Sequence, residues 1–221
     1  MNATWELALA AGGVALALAF RPWRMCTPDL LHPAFAILIL LPLLWLLPQR
    51  LPASAVVDGL PLQLSGAGLA LLMLGWPLAV LALAGVGLVV AMGSGQAAAA
   101  LHQYLWVGLL PCTLAVAWGA LLRRFLPPHV FVYILGRGFF GTALALTLSA
   151  GLHGGLWALS GDAAAPVEGV GVARWLMAWG DAFLTGLLVA VFVAFRPQWL
   201  ATWSDRRYLR PPASPPAPPP W

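Results

Sequence analysis

The residues that could bind a ligand in this chain are few, and they are predicted to lie at one level of a helical bundle. Only 8% of the 221 residues are charged. Neutral imidazoles and amides at one level can ligate a borderline transition-metal ion or line a polar entry. The candidates stand near the predicted outer ends of four apolar segments: Asn2 with Glu6, Gln63, His102 with Gln103, and His153. A single histidine in such a place is more often bonded only to backbone or water, so the interpretation depends on their convergence.

Two further charges fall inside the predicted membrane. Arg137 lies about 12 Å from the inner end of its segment, and Asp181 is predicted within one helical turn of that depth. A lone charge at such a depth is costly, and pairing with an opposite charge is the usual resolution. We expect a structural ion pair between Arg137 and Asp181. A gate or a proton-linked site is the alternative.

The stretch Leu60 to Gly95 contains no ionisable side chain and sets the positions of the other segments. As one helix it would be about 54 Å long, well beyond a hydrocarbon core of about 30 Å. Gly75-Trp76-Pro77 is the only helix-breaking cluster inside it. The pattern predicts two spans, Leu62 to Leu74 and Pro77 to Met92. Because the first is short, we expect it to lie partly inside the protein, preceded by non-helical chain around Gly59 to Ser65.

The remaining apolar segments bring the predicted number of spans to about seven, in an all-α polytopic membrane protein. Eight arginines are expected on one side of the membrane and two on the other, which predicts the N-terminus outside and the C-terminus in the cytoplasm. There is no lysine, and because the arginines stand between the spans we exclude nucleic-acid binding. The other predicted spans are Trp5 to Phe20, Ala34 to Leu47, Ala97 to Leu122, His129 to Leu159 and Val172 to Phe195.

The domain organisation follows from these spans. Residues 1–196 form the predicted transmembrane domain, and the first span is expected to stay attached rather than act as a signal peptide. Residues 197–221 are predicted to be a cytoplasmic interfacial segment with a proline-rich, disordered tail. Ala8, Gly12, Ala15 and Ala19 share one face of the first span, which suits either packing inside the bundle or docking of another subunit.

Three stretches carry a resemblance to a known family: VDGLPLQLSGAGLALLMLGWPLAVLAL, HVFVYILGRGFFG and WGDAFLTGLLVAVFVAFRPQWL. Together they resemble the membrane subunit of energy-coupling-factor importers for cobalt and nickel (the CbiM/NikM type), in a divergent bacterial branch. The resemblance implies a seven-helix substrate-binding subunit in the bacterial inner membrane. It also implies that the subunit captures a divalent metal ion and works with a membrane-embedded coupling subunit and cytoplasmic ATPase subunits.

The resemblance also implies a ligand set for the metal ion. In the family the ion is held by the N-terminal amine, a histidine at position two and a histidine in the loop that enters the third span. The corresponding residues here are Met1, Asn2 and Gln63. An amide is a weaker ligand than imidazole for nickel or cobalt. Either His102 and His153 supply the missing nitrogens, or the protein keeps the fold and recognises something else.

Two other function classes stay open at the level of sequence. His102 and His153 could ligate one haem from facing helices, which would make the protein a membrane electron carrier. The chain could instead be a non-transporting membrane protein that only assembles with partners. An enzyme is not expected, because no serine, histidine and carboxylate come together in a recognisable arrangement. No covalently bound cofactor is expected, and a transition-metal ion enters only as cargo.

Overall fold

The computed structural model describes residues 3–50, 63–159 and 170–209, and this part of the chain is helical without any strand. Five of its helices are long and apolar enough to cross a membrane, and a shorter apolar helix, Thr4–Ala19, stands beside them. The prediction of an all-α, multi-pass membrane protein is confirmed at this level. The helices are α1 Ala3–Ala19, α2 Pro28–Arg50, α3 Ala67–Leu74, α4 Trp76–Ser94, α5 Ala97–Gln103, α6 Leu110–Phe125, α7 Gly141–Leu159, α8 Val170–Phe195 and α9 Asp205–Tyr208.

Two of the long spans contain a π-helical segment. Tyr104–Leu109 joins α5 to α6, and Val132–Phe140 leads into α7. Pro111 stands just after the first segment and has no backbone N–H to donate. The carbonyls of Trp106 and Val107 are instead hydrogen-bonded by the hydroxyls of Ser149 and Ser65. Side chains from two other parts of the chain thus bond carbonyls next to the position where proline removes one helical hydrogen bond.

Helix α3 is the exception among the apolar segments, because it is too short to cross a membrane. Its eight residues extend about 12 Å, and seven of them are buried. Residues 63–66 lead into it without helical structure, as predicted, while residues 59–62 lie outside the described residues. Gly75, at φ 76°, ends α3 and begins α4, where the sequence predicted the break. Of the two predicted spans of this hairpin, only α4 has the length of a span.

The segment that follows α8 packs under the C-terminal end of α3. The backbone N–H groups of Ala201 and Thr202 donate to the carbonyls of Met73 and Leu72, at 2.9 and 3.4 Å. The Thr202 hydroxyl donates to the Leu72 carbonyl at 2.9 Å. Leu200 is buried among the helices of the bundle. Residues 197–209 are therefore part of the same folded unit, and the proline-rich residues 211–220 lie outside the described part of the chain.

The close approach of α3 to α7 depends on Gly68. A Cβ atom placed there would lie 2.2 Å from Thr142 Oγ1 and 3.0 Å from Thr142 Cβ, and the Thr142 side chain is almost fully buried. Gly12 offers a matched control, since a Cβ there would meet nothing within 4 Å.

We predict that Gly68→Ala lowers the free energy of unfolding by about 1–3 kcal/mol, because the added methyl group overpacks the contact with Thr142. Gly12→Ala should leave it unchanged or slightly raised. Thermal unfolding of both variants in detergent micelles measures the difference. Equal melting temperatures for the two variants would contradict the described packing of α3.

Candidate functional site

A cavity of about 200 Å³ opens at the end of the bundle where α1, α5 and α8 begin and α7 ends. We call it the histidine cavity. Its polar lining comes from the chain before α3, from α5 and the π segment, from α7 and from α8. The lining residues with polar side chains are Gln63, Ser65, His102, Trp106, Ser149, His153 and Arg174.

The structure brings together some of the polar groups that were predicted to converge. Gln63, His102 and His153 line the histidine cavity, and Glu6 contacts it through His102. Gln103 turns away from it, and its side-chain amide donates to the carbonyl of Trp45 at 3.3 Å. Met1 and Asn2 lie outside the described residues.

Glu6 is buried and held by two groups at the wall of the cavity. Its Oε1 lies 2.8 Å from Nδ1 of His102 and accepts a hydrogen bond from Nε1 of Trp106 at 3.2 Å. A carboxylate that accepts from Nδ1 leaves Nε2 of a neutral imidazole free to act as an acceptor or a ligand. Glu6 therefore fixes both the orientation and the tautomer of His102.

His153 has the opposite tautomer, which Arg174 imposes. Nη1 of Arg174 lies 2.9 Å from Nδ1 of His153. A guanidinium group only donates, so Nδ1 must accept, and the proton of the neutral ring then stands on Nε2. This Nε2 is buried and has no hydrogen-bond partner in the part of the chain that the structure describes. His153 thus presents a donor, whereas a metal ion requires a lone pair.

The two imidazoles are in direct contact. The ring centroids of His102 and His153 are 4.9 Å apart in an edge-to-face arrangement, and the indole of Trp106 lies at the same distance from His153. Rings that touch in this way leave no gap for a porphyrin plane between them, so a bis-histidine haem would require the rings to separate. Within the described residues, no group of three or more histidine, cysteine, aspartate or glutamate side chains is arranged to hold a metal ion.

The non-helical chain before α3 lies next to the cavity, and Asp181 of α8 fixes it by hydrogen bonds. Oδ2 of Asp181 accepts hydrogen bonds from the backbone N–H groups of Ser65 and Gly66, at 2.6 and 3.0 Å. Oδ1 accepts from the Thr185 hydroxyl at 3.3 Å. The carbonyl of Ser65 accepts from Nε1 of Trp45 at 3.2 Å. Backbone groups that have no partner within a helix are therefore bonded to side chains at this depth.

The predicted ion pair between Arg137 and Asp181 is wrong. Arg137 turns towards α6, where its Nε lies 2.9 Å from the position that a Cβ of Gly119 would occupy, and its guanidinium lies over the ring of Tyr133 at 5.4 Å. The neighbouring Gly138 is the residue that faces α8, with the Cα of Gly186 3.6 Å from its ideal Cβ. Gly186 is five residues along α8 from Asp181, so Arg137 is displaced from Asp181 along the bundle as well as turned away from it.

Sequence reasoning missed Arg174 and Trp106 as cavity residues. Arg174 was counted only as an outer charge in the topology, although it stands one helical turn inside α8. The signal was that spacing: an arginine inside an apolar helix, at the level already assigned to two histidines, has to face a polar group. Comparison of the chain with protein-family models, with curated proteins and with solved structures finds no significant match.

We predict that Asp181→Leu lowers the free energy of unfolding by about 2–5 kcal/mol, because it leaves the N–H groups of Ser65 and Gly66 buried without an acceptor. Asp181→Asn should cost less, since the amide oxygen still accepts. A double-mutant cycle with Arg137→Gln should give a coupling energy below about 0.5 kcal/mol, as for residues without contact. Unfolding in mixed micelles is measured for Asp181→Asn and for the four proteins of the cycle made with Asp181→Leu. A coupling energy above about 1 kcal/mol would restore the ion pair.

Proposed function

We propose that this chain is the substrate-binding membrane subunit of an importer and that the histidine cavity is its solute site. The observation that carries the proposal is a cavity lined by polar side chains from four separate segments of an otherwise apolar bundle. Transporter sites are commonly built where a helix is broken and its ends face a cavity. Here residues 63–66 and the half-length helix α3 supply that break.

The proposal includes the orientation of the chain in the membrane and the subunits with which it works. The asymmetry of the arginines supports an orientation in which the histidine cavity faces outwards from a bacterial inner membrane. An energy-coupling-factor mechanism with a coupling subunit and ATPase subunits is supported by the sequence resemblance. Ala8, Gly12, Ala15 and Ala19 of α1 are all exposed in the structure, which leaves this small-residue face available to a partner helix.

The test of the solute site is access from outside. In a Cys26→Ser background, Gln63→Cys and Ala150→Cys place a thiol in the histidine cavity, and Leu126→Cys places one at the exposed end of α6. A membrane-impermeant maleimide added to intact cells should label the first two, whereas Leu126→Cys should react only after the membrane is opened. Buried Cys112 serves as the internal blank in all variants. Cavity thiols that stay unlabelled from outside would contradict the proposal.

A divalent metal ion of the cobalt and nickel class is the second candidate for the cargo. The contact of Glu6 with His102 favours it, because carboxylates commonly orient metal-ligating histidines through the other ring nitrogen. His153 would then have to give up its bond to Arg174 and turn an unprotonated nitrogen to the metal.

If the cargo is such an ion, its affinity should fall as the pH drops, because the ligating nitrogens must be unprotonated. A ligating N-terminal amine would add a dependence near pH 8. His102→Ala or His153→Ala should abolish binding, and an N-terminal tag should weaken it. Titration of purified protein with Ni²⁺ and Co²⁺ from pH 5.5 to 8.5 measures this. Binding that ignores pH and both substitutions would exclude a metal site made of these residues.

A further inference from the structure

The histidine cavity offers hydrogen-bond donors that have no acceptor among residues 3–50, 63–159 and 170–209. Within these ranges, Nε2 of His153 and Nε2 of Gln63 are both buried without a partner, and both residues line the cavity. The first is a donor because Arg174 fixes the tautomer of the ring, and the second belongs to an amide NH₂ group. The hydroxyls of Ser65 and Ser149 donate to carbonyls of the π segment, and neither oxygen accepts a hydrogen bond from these two donors. A ligand that completes this site has to accept hydrogen bonds.

The charged residues at the cavity also favour a ligand that accepts hydrogen bonds. The carboxylate of Glu6 is hydrogen-bonded by His102 and Trp106 and forms no contact with Arg174 among the described residues. Arg174 lines the cavity, and within the described ranges it forms no salt bridge and its only hydrogen bond is to a neutral imidazole. A cation inside a membrane helix is costly without a counter-charge. An anionic ligand would provide that charge and would also accept the free donors.

The size and the remaining walls narrow the class of anion. A cavity of about 150 Å³ can hold benzene, so about 200 Å³ suits a compound of roughly that size with one polar group. Leu146, Met177 and Ala178 form an apolar side of the cavity. The planar fork of an arginine matches the two oxygens of a carboxylate.

We propose that the histidine cavity binds a small monocarboxylate with an apolar body, whose carboxylate contacts Arg174, Nε2 of His153 and the amide of Gln63. This inference rests on the proposed function, because it names the solute class for the site proposed there. The carboxylate proposal and the metal candidate predict opposite effects on binding when the charge of Arg174 is removed. Removing the charge of Arg174 should weaken the binding of a carboxylate and strengthen the binding of a cation.

The experiment uses the full-length protein in detergent micelles, with butyrate and benzoate as probes and butyramide and benzamide as their uncharged matches. The carboxylates should raise the melting temperature saturably and the amides should not. Arg174→Gln should weaken the carboxylates at least about tenfold, as expected for a charged hydrogen bond in a desolvated site. Arg124→Gln, an exposed arginine outside the cavity, should leave their affinity unchanged.

A second substitution and a metal titration test the inference independently of Arg174→Gln binding carboxylates. If Arg174→Gln does not fold, His153→Phe keeps an aromatic ring, removes the donor and should also weaken the carboxylates. Equal effects of carboxylates and amides, or carboxylate binding that survives both substitutions, would overturn the inference. The inference would also be overturned if Ni²⁺ but no carboxylate stabilised the protein and this stabilisation increased in Arg174→Gln. The proposal that the cavity is a solute site would not be affected by that result. Cavity thiols that cannot be labelled from outside would instead remove the proposed function, whatever the probes do.

Discussion

The hydrogen bonds at the two ends of α3 are the interaction on which the rest of the bundle depends. A helix of eight residues leaves N–H groups free at one end and carbonyls free at the other, and hydrocarbon offers them no partner. Asp181 accepts from the chain that enters α3, and Ala201 with Thr202 donates to the carbonyls near its end. The chain thus contains a short helix at a depth where only a full span would otherwise be stable.

The non-helical chain that precedes α3 also leaves space for the histidine cavity. Because α3 begins only at Ala67, the four residues before it are not helical, and Gln63 and Ser65 line the histidine cavity. Ser65 connects this floor to the π segment through the carbonyl of Val107. A full-length helix in this place would have satisfied its own backbone and would have filled the space with side chains. The cavity and the broken helix are therefore two consequences of one packing arrangement.

Sequence reasoning succeeded where a constraint is local or follows from length. The absence of charge from Leu60 to Gly95, the break at Gly75 and the limited thickness of a bilayer were enough to predict a shortened span preceded by irregular chain. It failed where the packing between helices decides. Arg137 and Asp181 were expected to pair from their estimated depths alone. Gly138 instead packs against Gly186, five residues along α8 from Asp181, and the side chain of Arg137 lies against Gly119 of α6. Arg174 was overlooked although its place one turn inside an apolar helix was visible in the sequence, and the structure adds that it bonds His153.

The most direct test of this account is amide hydrogen exchange at Ser65 and Gly66, measured by NMR on the protein in micelles or nanodiscs. These two residues are outside any helix, so their amides would exchange fast in an ordinary loop. The account predicts slow exchange, as slow as in the neighbouring turns of α3, because both N–H groups donate to buried Asp181. It also predicts that Asp181→Leu releases them selectively. Fast exchange at both amides in the unsubstituted protein would contradict the claim that Asp181 holds the broken chain.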